Sequence, residues 1–221
     1  MDKILILVEG QTEERFIKDV LSPFLIRYNL FATPIIVKTK INLSGKDFKG
    51  GVVNYQKVKN DILKLCNDSS VKYITTLFDL YGLSTDFPGY SSTIDDSFIN
   101  ARNIEKFVDS DISNSVRDSR FKCYIQVHEF EALLFSSVEV IATRLSADEN
   151  KIKLLNEIVN SYNNPEEINN SADTAPSKRL LKIFPNYNKV LYGSLVTSSI
   201  GIEKIMEKCP RFAEWVNFMI T

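Results

Sequence analysis

Residues 3–16, "KILILVEGQTEERF", decide how the rest of the chain is read. The run from Ile4 to Val8 is unbroken aliphatic and stops abruptly at Glu9-Gly10, with Glu13 and Glu14 close behind. A short continuous apolar run bounded by turn residues predicts a strand covered on both faces, as in a parallel sheet. Thr12 is placed to cap a helix whose first turn holds Glu13 and Glu14, where the helix dipole favours negative charge. The apolar face of that helix would be Phe16, Val20 and Leu21, with Pro23 at its end. Gly10 would let the chain turn sharply, with its backbone close to a ligand.

Outward from this segment, strand and helix signals alternate. "TPIIVKTK" (33–40) reads as a second strand, and Tyr55, Val58, Ile62 and Leu65 recur at helical spacing. "KYITTLFDLYG" (72–82) is a third strand that again ends on an acid, Asp79. "LSTDFPGYSSTIDDS" (83–97) is a long polar loop leading to a helix near Phe98 to Val108. "FKCYIQV" (121–127) is a fourth strand running directly into "HEFEALLF" (128–135). Beyond Ser136 the signals are helical, in 151–162, 176–184 and 200–209, broken by "YNNPEEINNSADTAPS". This order predicts an α/β domain over 1–135, with a mainly parallel sheet flanked by helices, and a helical C-terminal portion over 136–221 packed on it.

Composition excludes several classes. The 221 residues are 44% hydrophobic and 25% charged, enough for one sizeable core. Lys and Arg number 27 against 28 Asp and Glu, so net charge supplies no general attraction to nucleic acid or membrane. The apolar run at the start is too short to span a bilayer or to serve as a signal peptide. Cys66, Cys123 and Cys209 fit neither a zinc pattern nor a disulfide framework, which points to a reducing cytoplasm. No Walker loop, dinucleotide fingerprint or serine or cysteine triad signature is present.

Three strand-like segments end in acids: Glu9, Asp79 and the cluster His128-Glu129-Phe130-Glu131. The carboxyl ends of parallel strands lie along one sheet edge, where ligands bind. Carboxylates gathered there repel one another unless a cation lies among them or some stay protonated. All-oxygen donor sets suit Mg²⁺ or Mn²⁺, ions that polarise phosphodiesters and orient water. Each acid taken singly is better read as turn chemistry or a solvated end, and it is the three together that bring the site reading level with that one. On a helix Glu129 and Glu131 point different ways, so at most one of the two belongs to the site unless the segment is still extended there. His128, the chain's single histidine, is a hydrogen-bonded structural residue or a general acid or base. Lys178 and Arg179 open a helix capped by Ser177, and with Lys189 they form either a solvated face or a phosphate grip. Phe212 and Trp215, at i and i+3, form a packing stripe for the last helix.

"ILILVEGQTEERF" resembles the first motif of the Toprim superfamily, in which a strand ends in Glu-Gly. Glu13 resembles the additional acid of the OLD-nuclease branch, and "TTLFDLYGL" the strand whose Asp binds metal. Taken in order, "VEGQTEE", "FDLYG", "HEFEALLF", "APSKRL" and "CPRFAEW" resemble one bacterial Toprim-like family of unknown function, commonly encoded beside an AAA ATPase in phage-defence neighbourhoods. The chain departs from the Toprim pattern at Tyr81, where a second Asp is usual. The resemblance implies a Mg²⁺- or Mn²⁺-dependent nuclease, the hydrolase effector of an ATPase-linked defence pair. Its metal ligands would come from Glu9, Glu13, Asp79, Glu129 and Glu131, with Glu9, Asp79 and Lys178 in the catalytic role. Gly10, His128, Arg179 and Lys189 would hold substrate. The alternative is a non-catalytic Toprim-like module that binds the ATPase or a nucleic-acid ligand.

Overall fold

The computed structural model describes residues 1–37, 54–116, 118–169 and 174–221. Three strands carry the sheet: β1 (Asp2–Val8), β2 (Leu30–Ile36) and β3 (Val71–Asp79). Two short pieces, β4 (Phe121–Lys122) and β5 (Ile125–Gln126), pair with β3 further along. The order is β2-β1-β3-β4, and every pairing is parallel. Ile4 to Val8 are fully or almost fully buried, which is why this strand needs no polar alternation.

Alternate residues of β1 enter two different cores. Ile4, Ile6 and Val8 pack with α1 (Gln11–Phe16) and the helices after residue 136. Leu5 and Leu7 pack with α3 (Tyr55–Cys66) and α4 (Ser97–Val116). The sheet is thus sandwiched between helical layers, the α/β arrangement in which a period of two feeds both faces. Because the chain leaves β1 for β2 on one side and returns for β3 on the other, the boundary between β1 and β3 is a topological switch point.

Several local expectations need correction. Thr12 does not cap α1; the helix begins at Gln11 behind an extended Gly10, and Thr12 is buried. At φ −154° Gly10 makes no left-handed turn, so any residue could adopt its backbone. Pro23 does not end the helix: a π turn (Ile17–Leu21), α2 (Ser22–Leu25) and a 3₁₀ turn (Ile26–Tyr28) carry the chain on, with Pro23 inside the continuing helical run. The second strand lies earlier than "TPIIVKTK"; the last three residues of that stretch fall outside the described residues. "FKCYIQV" is two pieces because its middle amides bond to side chains instead of a strand: Cys123 N–H donates to Asp109, Tyr124 N–H to Thr76 and Ile125 N–H to Glu105.

The remaining elements are α5 (Val138–Arg144), α6 (Glu149–Asn160), α7 (Pro176–Ile183), α8 (Lys189–Ile200), α9 (Ile202–Lys208) and α10 (Pro210–Ile220). Phe212 and Trp215 form the expected packing stripe, wholly or almost wholly buried with rings 5.7 Å apart. Trp215 stacks on Tyr124 and donates its indole N–H to Thr75 in β3, which fixes the last helix on the sheet. Two buried acids lock this layer. Glu166 accepts the N–H groups of Arg211 and Phe212 at the start of α10, and Glu105 pairs with the buried Arg211 guanidinium. Among the described residues no helix is long and apolar enough to cross a membrane.

Candidate functional site

Glu9 follows the last residue of β1 and Asp79 ends β3, so the two acids flank the switch point at the carboxyl edge of the sheet. They are joined directly: the Asp79 N–H donates to Glu9 Oε1 at 3.1 Å. Space around Glu9 is kept by Gly82, where an added Cβ would lie 3.3 Å from Glu9 Oε2. Glu13 points back from the first turn of α1, 5% exposed, and a Cβ on Gly10 would lie 3.3 Å from its Oε2. The role of Gly10 is therefore space rather than a turn.

The "HEFEALLF" stretch supplies the opposite wall. His128 has φ +67°, a left-handed conformation uncommon for a residue with a Cβ. That kink ends β5 and sends the chain into a 3₁₀ helix, Phe130–Ser136, which is buried throughout. Asp79 Oδ1 accepts the Phe130 N–H at 2.9 Å, so the carboxylate also caps this helix. Glu131 is fully buried in its first turn, and neither of its oxygens has a well-aligned hydrogen-bond donor among the described residues.

The cation in the cluster is Lys189, the first residue of α8. Its ammonium lies 3.0 Å from Glu131 Oε2, off the hydrogen-bonding direction, and 3.8 Å from Asp79 Oδ2. The close approach of α8 depends on Gly193, where a Cβ would meet Thr12 Cγ2 at 3.1 Å and the Phe130 ring at 3.3 Å. Lysine at a helix N-terminus opposes the dipole, and here the acids of the cluster offset that mismatch.

Burial and crowding raise the carboxyl pKa values. Glu9 is pushed up to about 7, first by burial and then by Glu13, against the opposing pull of the Asp79 N–H and Lys189. Burial raises Asp79 well above its ordinary range; Lys189 opposes, while Glu13, Glu9 and Glu131 add to the rise. Glu131 reaches about 7 through burial, partly offset by Lys189. Burial works against the charge on Lys189, but Asp79, Glu131 and Glu13 outweigh it and raise its pKa. The cluster holds more negative charge than one ammonium neutralises, and it stores protons near neutral pH.

Other expected residues fall around this centre or away from it. Glu129 is the extended residue before the 3₁₀ helix, and its Oε2 accepts the Ser177 N–H at 2.9 Å. This corrects the expectation that Ser177 caps α7; that helix starts at Pro176, and the anion at its end comes from Glu129. His128 is 9% exposed, hydrogen-bonded between Nδ1 and the Asn169 amide at 3.2 Å, and burial lowers its pKa to about 4, so it is neutral at pH 7. Its carbonyl accepts the N–H of Tyr81, whose side chain is 55% exposed. Asp86 does not fill in for the second Asp; it accepts the Tyr55 N–H at the start of α3. Lys178 and Arg179 line a cavity between α6 and α7 and make no ion pair with Glu9, Glu13, Asp79 or Glu131 among the described residues.

The donor set of Glu9, Glu13, Asp79 and Glu131 is all oxygen, the chemistry of a Mg²⁺ or Mn²⁺ site, and one cation, Lys189, already lies against the buried Glu131 carboxylate. Their arrangement beside Lys189 is not a closed ligand shell: among the described residues no group of three or more His, Cys, Asp and Glu side chains is set to hold an ion. No curated protein and no solved structure matches the chain. Residues 8–220 match the family model described as a domain of unknown function, DUF4276, and the chain belongs to that family.

Proposed function

We propose that the chain is a Toprim-like hydrolase that cleaves phosphodiesters with a divalent cation, Mg²⁺ or Mn²⁺, held by Glu9, Asp79 and Glu131 with Glu13 in support. The observation that carries this reading is the junction of Glu9 and Asp79 at the switch point of a parallel sheet, beside the buried Glu131 carboxylate that shares Lys189 with Asp79. When bound, the cation would polarise the phosphodiester and activate water.

The chain's own residues have definable tasks. Glu9, at the carboxyl end of β1 and tied to Asp79 through the Asp79 N–H, would be a ligand of the cation or the base that takes a proton from water. Asp79 and Glu131 supply the charge that holds a cation, and the 3₁₀ helix fixes Asp79 through the Phe130 N–H. Lys189 lies between Asp79 and Glu131, and its ammonium would be placed to offset negative charge developing on the phosphate. In this reading Lys189 takes the cationic role assigned from the resemblance to Lys178. An AAA ATPase partner and a role in phage defence enter through the resemblance alone.

A second reading is favoured by one specific observation: Tyr81, half-exposed, stands where a second metal-binding Asp is usual. In it the acids are a folded relic, and the module only docks an ATPase or a nucleic acid. Nicking of supercoiled plasmid and cleavage of RNA with 5 mM Mg²⁺ or Mn²⁺ (about the range for weakly held ions), with and without the ATPase, separates the two. Glu9→Gln and Asp79→Asn should each lower cleavage by about a thousandfold or more, on the order of 4 kcal/mol of transition-state stabilisation. Equal cutting by wild type and both variants, or no Mn²⁺ uptake by calorimetry, rejects the hydrolase.

A further inference from the structure

Among the described cavities, the one between α6 and α7 encloses about 410 Å³, within the range of small-molecule sites, and lies apart from the acid cluster. One wall is cationic: Lys178, Arg179 and Lys182 all come from α7. The other wall is aliphatic, with Leu154 and Ile158 from α6 and Ile183 closing the end; Leu154 is 47% exposed.

The cations are arranged for a ligand rather than for each other. Lys178 and Lys182 are one helical turn apart, a spacing at which like charges repel, and neither has an ion-pair partner among the described residues. Arg179 is pre-positioned: its Nε donates to the Thr174 carbonyl, its Nη2 donates to the Tyr162 hydroxyl, and its guanidinium lies over the Tyr162 ring. A fixed guanidinium beside two unneutralised ammonium groups is the chemistry that grips a phosphate. Glu157, at the edge of the same cavity, offers a carboxylate to hydroxyl donors.

We infer that this cavity binds a nucleoside phosphate, with the phosphate on Lys178, Arg179 and Lys182, the base against Leu154, Ile158 and Ile183, and the ribose hydroxyls towards Glu157. A bare inorganic anion would leave the aliphatic wall unused, and a nucleic-acid strand would need cations beyond one helix. The site is independent of the hydrolytic reading and needs no metal.

Isothermal titration of the full chain with AMP and with inorganic phosphate, in EDTA, tests it. AMP should bind, inorganic phosphate should bind at least about tenfold more weakly, and the double variant Lys178→Ala, Lys182→Ala should lose about tenfold or more in AMP affinity. Ile158→Trp, which fills the cavity, should abolish AMP binding, while Glu9→Gln should leave it unchanged. Absence of AMP binding overturns the assignment, as does equal AMP binding by wild type and the lysine variant. Binding of a single-stranded oligonucleotide or a polyglutamate peptide that is lost in the lysine variant, with no AMP binding, overturns it in favour of a macromolecular partner. Loss of AMP binding in Glu9→Gln alone moves the nucleotide to the acid cluster and equally overturns it.

Discussion

Glu131 and Glu166 are each wholly buried glutamates, and the two regions that hold them solve the same electrostatic problem in opposite ways. At Glu166 both oxygens accept backbone N–H groups from the first turn of α10, and Arg211 adds its charge. At Glu131 the charge is met by one half-exposed lysine that is shared with Asp79, while Glu129 adds negative charge nearby. Burying an ion is tolerable when its lone pairs are satisfied and costly when they are not. The first arrangement holds a helix in place; the second keeps a charge deficit that a cation would relieve.

The largest effect that tests this contrast is Glu166→Ala. It strips two backbone donors of their acceptor and leaves Arg211 short of compensation, so the fold should lose about 3–5 kcal/mol, read from urea denaturation. A loss below about 1 kcal/mol would mean that the network at α10 is not structural.

Glu131→Gln should behave differently, with an effect that depends on pH. The folded pKa of Glu131, about 7, stands above its ordinary 4.5. Stability linked to this group is therefore fully present below about pH 4.5 and gone above about pH 7. Between pH 5 and pH 8 the wild type should lose stability relative to the Gln variant, on the order of 3 kcal/mol. His128 acts in the other direction: its depressed pKa gives stability present above 6.5 and lost as pH falls towards about 4. Since His128 is unchanged in the variant, the difference between the two proteins isolates Glu131. Parallel denaturation profiles at the two pH values would show that the carboxyl titrates normally.

Removing the resident ammonium sharpens the same comparison. Lys189→Met should tighten Mn²⁺ binding by about tenfold, roughly 1.4 kcal/mol, because an incoming ion no longer displaces a paired cation. Unchanged Mn²⁺ affinity by calorimetry would place the ion away from Asp79 and Glu131. The smallest change is expected for Tyr81→Asp, which adds a carboxylate at an exposed position and should improve Mn²⁺ affinity by about threefold, worth less than 1 kcal/mol. No gain would show that Tyr81 lies outside the reach of the ion.

Much of the frame was legible in local pattern. The aliphatic run of β1 and the β-branched run of β3 announced buried parallel strands, and the acids at their ends marked the sheet edge. The separation of Glu129 from Glu131 did not come from helical spacing, since Glu129 is extended and the 3₁₀ helix begins only at Phe130. Caps were less legible, because Thr12 and Ser177 look like capping residues while the true anion at α7 is Glu129, distant in the chain. The break within residues 121–127 was invisible for the same reason: Asp109, Thr76 and Glu105 reach it from other elements.

The sequence by itself determined which apolar runs are buried and where carboxylates stand at strand ends, since hydrophobic periodicity and strand punctuation are local properties. Only the tertiary structure decided which acids share a neighbourhood, which are satisfied by helix ends, and that Lys189 rather than Lys178 lies among them. Those outcomes depend on long-range approach, such as α8 closing on α1 at Gly193, and on the dielectric that burial creates around the charges it brings together.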